Sequence, residues 1–355
     1  MKAALHRSHG GPEVLEWADL PDPEPGPADV VVRVAAVGLN RLDLLQRTGP
    51  GLLPHFALPH VAGMDVAGEV VAVGPDVPAS LRIEPGLRVV VDPSISCGTC
   101  AACRSGDDGM CRDKRVVGGS LPGGYAELCA VPATHVHPVP DHVDLVAAAA
   151  APTVFTRAWQ SLFTSGRLMI GETVLIHAAA SGVTTAAVQL ARRAGAQVIV
   201  TARTDAELEH GKRHGADAGI NTTTTADLAA AVRDLTGGRG ADLVFDHLGP
   251  ALFPESIAAL RPRGRLVFCG NTTGNVASLN LPAAYHKGIT LIGSEAYSHT
   301  QFGRIMAEVW DADLAATIDR TLPIRDVADA HRLMADDALR GKLVLLHGPA
   351  EPLPS

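Results

Sequence analysis

Short apolar runs between residues 173 and 293 alternate with helix-length stretches, and this alternation limits the fold more than any other feature of the chain. The runs are TVLIHA (173–178), AQVIVTA (196–202), ADLVFD (241–246), GRLVFCG (264–270) and ITLIG (289–293). Strands so spaced need crossover connections, which predicts a parallel sheet with helices on its faces. Between the first two runs, Val183, Ala187, Leu190 and Ala194 fall on one apolar stripe of a helix beginning near Gly182. The segment therefore reads as a βαβ unit.

Residues 1–130 have a different character. DVVVRVAAVG (29–38), GEVVAVG (68–74) and LRVVVD (87–92) are short valine-rich runs between glycines and prolines, the pattern of a β-barrel-like domain. The PEPGPAD stretch near 23–29 reads as a rigid turn, and GPAEPLPS at 348–355 as a frayed end. Two domains suit 355 residues at roughly 150 per domain. The last 55 residues, with helices near 300–312 and 326–338 and a strand KLVLLH (342–347), could complete either domain. With 30 basic and 38 acidic residues and no basic block, the chain is a poor candidate for nucleic-acid binding. No uncharged apolar run is long enough to span a bilayer, and the N-terminus lacks a secretory pattern, so a cytoplasmic protein is expected.

Four of six cysteines, Cys97, Cys100, Cys103 and Cys111, form a C-x2-C-x2-C-x7-C array. Such spacing lets four thiolates converge on one tetrahedral ion, and a closed all-sulfur site leaves no place for substrate. One structural zinc per chain is expected, with an iron–sulfur cluster or two disulfides as alternatives. Cys129 and Cys269 read as ordinary buried cysteines.

After the first run of the alternating region, Ala178-Ala179-Ala180-Ser181-Gly182-Val183-Thr184 makes a small-residue turn into the helix. The order strand, turn, helix suits a pyrophosphate held by free N–H groups and the helix dipole. Ser181, Gly182, Val183 and Thr184 would face it; a turn that binds nothing is the other reading. The second run ends Thr201-Ala202-Arg203-Thr204, with no carboxylate before Asp205. An acidic residue there would hold the ribose hydroxyl of NAD, so Arg203 favours NADP(H), with NAD(H) second. Thr204, Asp246 with Gly249, and Cys269, Gly270 and Asn271 lie at the carboxyl ends of strands, where cofactors bind. His177, closing a buried strand, is expected to be a core residue.

This order of elements resembles the medium-chain dehydrogenase/reductase superfamily, which includes zinc alcohol dehydrogenases and quinone oxidoreductases of the zeta-crystallin type. The cysteine lobe has the spacing of the structural zinc site in the alcohol dehydrogenases. The segment Gly171 to Arg192 is similar to the quinone oxidoreductase signature except at Ser181 and Thr184, where glycine is usual. The resemblance implies a GroES-like β-barrel domain at 1–152 and 295–355, carrying the zinc lobe at about 93–115. It also implies an inserted Rossmann doubly wound NADP(H) domain at 153–294, with substrate between the two.

Where the resemblance places the three catalytic zinc ligands of alcohol dehydrogenases, this chain has Asn40, then Met64 within Gly63-Met64-Asp65-x2-Gly68, then Thr153 after Pro152. None of these side chains is thiolate, imidazole or carboxylate, the ligands that zinc requires. Leu42 stands where a proton relay would begin. Without a zinc Lewis acid, reduction of a quinone or an α,β-unsaturated carbonyl is favoured, because its charge delocalises into a phenolate or enolate. Asn40 and Thr153 are the expected catalytic pair beside the nicotinamide, Asn40 as an amide donor. Asp65 is expected to be structural and Met64 to pack; Arg41 and Asp43 read as cleft-wall or ion-pair residues. Glu207 and Thr222 replace a lysine and a tyrosine common in quinone oxidoreductases. The rival readings are a zinc alcohol dehydrogenase with ligands rebuilt from His55, His60 or Asp65, and an inactive nucleotide-binding partner protein. A homodimer or homotetramer acting on a small molecule is expected by analogy.

Overall fold

The computed structural model describes residues 1–49, 53–336 and 339–348, so most of the expected frayed tail lies outside the described residues. The chain divides into two compact units, Met1–Thr153 with Tyr297–Ser355, and Val154–Ala296. The first is a GroES-like β domain and the second a Rossmann-like domain with a parallel sheet.

In the first unit, β1 (Asp29–Gly38) is followed by α1 (Arg41–Thr48), β2 (Asp65–Val73), β3 (Arg88–Val91), β4 (Leu128–Pro132) and β5 (Val136–Pro138). β1 pairs antiparallel with both β2 and β4, and β2 continues to β3 and β5. β2 begins three residues earlier than the valine run suggests. Pairing with β1 carries on to Gly38 opposite Asp65, so the ladder orders residues without a strand pattern of their own. The valines Val30, Val32, Val66, Val70, Val89 and Val91 are buried in one core with Tyr125.

The second unit holds β6 (Thr173–Ile176), α2 (Gly182–Arg193), β7 (Gln197–Ala202), α3 (Asp205–Arg213), β8 (Ala218–Asn221), β9 (Ala241–Asp246), α4 (Phe253–Ala259), β10 (Leu260–Phe268) and β11 (Thr290–Gly293). The strands are all parallel, in the order β8-β7-β6-β9-β10-β11. On α2 the expected stripe is broader than four positions: Ala186, Val188 and Ala191 are buried besides Ala187 and Leu190, while Val183 and Ala194 are half-buried. β8 was not evident in the sequence, because AGIN is a short edge strand with little apolar content. β10 starts at Leu260, ahead of the apolar run, where Arg261 pairs with Asp242 and Arg265 with Glu172.

The chain then forms α5 (His299–Asp311), β12 (Ile318–Pro323), α6 (Val327–Ala335) and β13 (Lys342–Leu346). β13 pairs antiparallel with β1 and parallel with β12, which puts both in the sheet of the first unit. No helix of the described residues is long and apolar enough to cross a membrane.

His177 is fully buried at the end of β6, but it packs through polar contacts. Its Nδ1 lies 2.8 Å from Thr201 Oγ1 and its Nε2 2.8 Å from Ser256 Oγ. Burial pushes its pKa down from 6.5 to about 4. The unfolded chain therefore binds a proton that the folded one refuses between those values, and the stability His177 contributes is complete above pH 6.5 and lost as the pH falls toward 4. The stability deficit of a H177N variant relative to wild type is expected to shrink by about 3 kcal/mol over that window, followed by urea denaturation at a series of pH values. A deficit independent of pH would contradict this.

Candidate functional site

The positions compared above with zinc ligands form a closed polar network in the first unit. Asp65, at the start of β2, is fully buried, and so is most of Lys342, at the start of β13. Lys342 Nζ donates to Asp65 Oδ2 at 2.9 Å, to Asn40 Oδ1 at 2.7 Å and to the Leu39 carbonyl at 2.8 Å. All three ammonium hydrogens are thus used. Asn40 Nδ2 donates to Asp65 Oδ2 at 2.9 Å and to the Gly38 carbonyl at 3.2 Å, and Thr153 Oγ1 donates to Asp65 Oδ1 at 2.6 Å. The structure therefore brings Asn40 and Thr153 together on Asp65, and both hydrogens of the Asn40 amide are spent within the network.

The cation at the centre was not found by sequence reasoning. Lys342 opens the apolar strand KLVLLH, and the one signal was a lysine at the start of a strand that is otherwise buried. Glycine at 38 leaves room for it: a Cβ there would lie 3.2 Å from Lys342 Cε and 2.4 Å from the Ala149 carbonyl. Met64 is half-buried beside this network. His55 is exposed, His60 Nε2 lies 3.0 Å from the Gly118 carbonyl, and neither joins Asp65 in a metal-capable group among the described residues. The donor set does not fit a zinc ion.

Asp43 departs from the expectation of a cleft-wall or ion-pair residue. It is buried at the start of α1, where its carboxylate accepts the Asn40 N–H at 2.8 Å and the Gly63 N–H at 3.1 Å. Burial raises its pKa to about 7, against the pull of those N–H groups. Gly63 has φ +95°, and a Cβ there would lie 2.5 Å from the Tyr125 ring, so glycine is what allows this turn. Tyr125 lies 3.2 Å from His331 Nε2, and Arg47 Nε donates to His331 Nδ1 at 3.1 Å. The chain from α6 to α1 holds the loop that carries Asn40. Arg41 is exposed on α1.

In the second unit, Ser181 caps α2: its Oγ accepts the Thr184 N–H at 3.1 Å and donates to Thr184 Oγ1 at 2.9 Å. Thr184 Oγ1 in turn donates to the His177 carbonyl at 2.6 Å and lies 2.9 Å from His247 Nε2. Hydroxyls at the two positions where glycine is usual thus latch the turn to β6. The N–H groups of Gly182 and Val183 come first in the helix and have no intrahelical partner, the arrangement that receives an anion.

Arg203 and Thr204 follow β7. The Arg203 side chain is 65% exposed and lies 3.8 Å from Glu207. Glu207 Oε2 accepts the N–H groups of Arg203 and Thr204, a helix cap that explains an acidic residue at this position. Thr222 Oγ1 donates to the Ala202 carbonyl. Asp246 is fully buried and its carboxylate accepts the N–H groups of Leu248 and Gly249 and the Ser256 hydroxyl. It shapes the loop and presents no oxygen to a ligand. Cys269 is half-buried, not fully buried as expected, because it follows the end of β10 with Gly270 and exposed Asn271. Cys129 is buried.

The sulfurs of the cysteine lobe lie at the spacing of a single-ion site. Cys100 Sγ is 3.5 Å from Cys103 Sγ and 3.9 Å from Cys111 Sγ, and Cys97 Sγ is 3.9 Å from Cys103 Sγ. A tetrahedron with Zn–S of about 2.3 Å has edges of about 3.8 Å. All of these cysteines are free thiols, against the disulfide alternative. Backbone N–H groups of Thr99 and Cys100 pull the Cys97 thiol down to about 6. The four fit a zinc ion.

Two family patterns match the chain, the alcohol dehydrogenase GroES-like domain over residues 26–141 and the zinc-binding dehydrogenase over 182–311. A quinone oxidoreductase of Pseudomonas aeruginosa is 32% identical over 96% of this chain and 97% of its own length. A 2-haloacrylate reductase of a Burkholderia species is 30% identical, with 98% of each covered. Among solved structures, one described as an NAD-dependent alcohol dehydrogenase superposes with a TM-score of 0.93 at 39% identity, covering 98% of this chain and all of that one.

Removing one partner of a buried ion pair strands the other, at a cost of about 3–5 kcal/mol. Lys342→Met and Asp65→Asn are each expected to destabilise the protein on that scale, while the double variant recovers part of the loss. Urea denaturation of the four proteins closes the cycle, and strictly additive losses would mean that the two charges do not interact.

Proposed function

The chain belongs to the medium-chain dehydrogenase/reductase superfamily and is an oxidoreductase of that type, and from that premise we propose that it is an NADPH-dependent reductase of quinones or α,β-unsaturated carbonyl compounds that uses no catalytic metal. The observation that carries this reading is the ammonium of Lys342, bonded to Asp65 and Asn40 among the residues that replace the zinc ligands. Asp65 and Lys342 already cancel each other's charge. A divalent ion placed there would meet a buried cation, with an amide, a thioether and a hydroxyl as its nearest substitutes for ligands.

When bound, NADPH supplies the hydride. The Gly182 and Val183 N–H groups would hold its pyrophosphate, Arg203 would pair with the 2′-phosphate, and Cys269, Gly270 and Asn271, at the carboxyl end of β10, would line the cofactor. Asn40 and Thr153 act by fixing the Asp65–Lys342 pair, since the Thr153 hydroxyl and one Asn40 amide hydrogen are committed to Asp65 and the other amide hydrogen to the Gly38 carbonyl. In a quinone or enone the negative charge develops on an oxygen remote from the carbon that receives hydride, so hydrogen-bond donors suffice where an isolated carbonyl needs a Lewis acid. In this reading water or a hydroxyl of the substrate supplies the proton. The P. aeruginosa quinone oxidoreductase and the 2-haloacrylate reductase support the two substrate classes, and the zinc lobe is structural in this reading.

NADPH oxidation with a panel of quinones, enones, simple aldehydes and primary alcohols tests the proposal. Turnover is expected with the first two classes and not with the others. Zinc-stimulated alcohol oxidation would overturn it, and tight NADPH binding with no turnover of any acceptor would favour the inactive binding protein.

NAD(H) is the second reading for the cofactor, supported by the description of the 39% identical structure. The Arg203→Ala variant separates the two. It is expected to weaken NADPH binding at least tenfold more than NADH binding by fluorescence titration, and equal losses would take the 2′-phosphate away from Arg203.

A further inference from the structure

A second group of potential metal ligands lies in the first unit, apart from both the cysteine lobe and the Lys342 network. Asp92, just after β3, His137 in β5 and His299 at the start of α5 each offer one ligand atom, and these atoms lie within 4.8 Å of one another. Strand pairing and the return of the chain through α5 assemble them from distant parts of the sequence. Asp92 is fully buried; its carboxylate accepts the Tyr297 hydroxyl at 2.6 Å and the Ser94 N–H at 3.1 Å and lies 2.7 Å from His299 Nδ1.

Two imidazoles are left incomplete. His137 Nε2 and His135 Nε2 are buried with no hydrogen-bond partner among the described residues. His135 is 93% buried, from its 7% exposure, and its ring stacks on that of His299 with centroids 4.1 Å apart. A buried nitrogen without a partner is unfavourable, and two in one place need an explanation. The backbone makes room for the His137 ring at Gly303 on α5, where a Cβ would lie 2.8 Å from Nδ1.

We propose that Asp92, His137 and His299 form a second metal site, taking a borderline divalent cation of the zinc class. Two imidazoles and one carboxylate are the donor types such ions share, whereas magnesium and calcium select oxygen alone. Ligand distances of about 2.0–2.2 Å place tetrahedral ligands about 3.4 Å apart, so side-chain rotation closes the site around an ion and leaves one position for water. The site clips β3, β5 and α5 together. It also sits next to the cysteine lobe, because Asp108, three residues before Cys111, accepts the His299 N–H at 2.9 Å and the Ser298 hydroxyl.

Loading the full-length protein with Co2+ tests this, because the two sites have different spectra. Four thiolates give an intense near-ultraviolet charge-transfer band, and a histidine–carboxylate site gives only weak visible bands. Two equivalents of Co2+ are expected, the second without charge transfer and absent in both H137N and H299Q, with the cysteine band retained. Excess Mg2+ is not expected to displace it. A single equivalent in wild type, a second equivalent kept by both folded variants, or displacement by Mg2+ would overturn the proposal. Should the variants fail to fold, the anomalous map of Co2+-soaked wild-type crystals decides: density between Asp92, His137 and His299 supports the site, and its absence removes it.

Discussion

A carboxylate buried without compensation is among the most unfavourable things a protein interior can hold, and the first unit is arranged around avoiding it at Asp65. Lys342 supplies the counter-charge, Asn40 and Thr153 saturate the remaining acceptor capacity, and the backbone of Leu39 takes the ammonium hydrogen left over. Each partner is delivered by a different element: the β1–α1 connection, β2, the segment entering the second unit, and the last strand. The sheet order that places β13 against β1 is therefore a requirement of the electrostatics as much as of the apolar core. With the ion pair in place, the region becomes a neutral hydrogen-bonded block.

The alternating half of the chain was the more legible in sequence. Parallel strands buried on both faces read as continuous apolar runs, and all the runs identified between 173 and 293 are strands of one sheet. Edges and ends were harder. β8 has little apolar content, and β2 and β10 extend past their valine or leucine runs because a neighbouring strand supplies the hydrogen bonds. The cysteine array was readable because its ligands are close in sequence. Lys342 and Asp65 are separated by 277 positions, and the Asp92, His137 and His299 group spans 207, so neither has a local signature.

The polar residues also differ in how far their type revealed their role. Ser181 and Thr184 departed from a glycine pattern, and the structure gives the departure a physical content, since their hydroxyls pin the turn that glycines elsewhere leave bare. Asp43 was expected at a cleft wall or in an ion pair, and Asp246 at the cofactor. Both instead bind backbone N–H groups inside loops, which is a common use of a buried carboxylate and is invisible without the fold.

The late arrival of Lys342 has a bearing on synthesis. The segments before Val154 contain nearly all of the barrel strands, yet a nascent chain made only that far carries Asp65 without Lys342. The intervening unit, complete from Val154 to Ala296, has every strand of its sheet before the final lysine is translated. The pair is thus a late closure, joining the part of this unit made before the inserted one to a strand made after it.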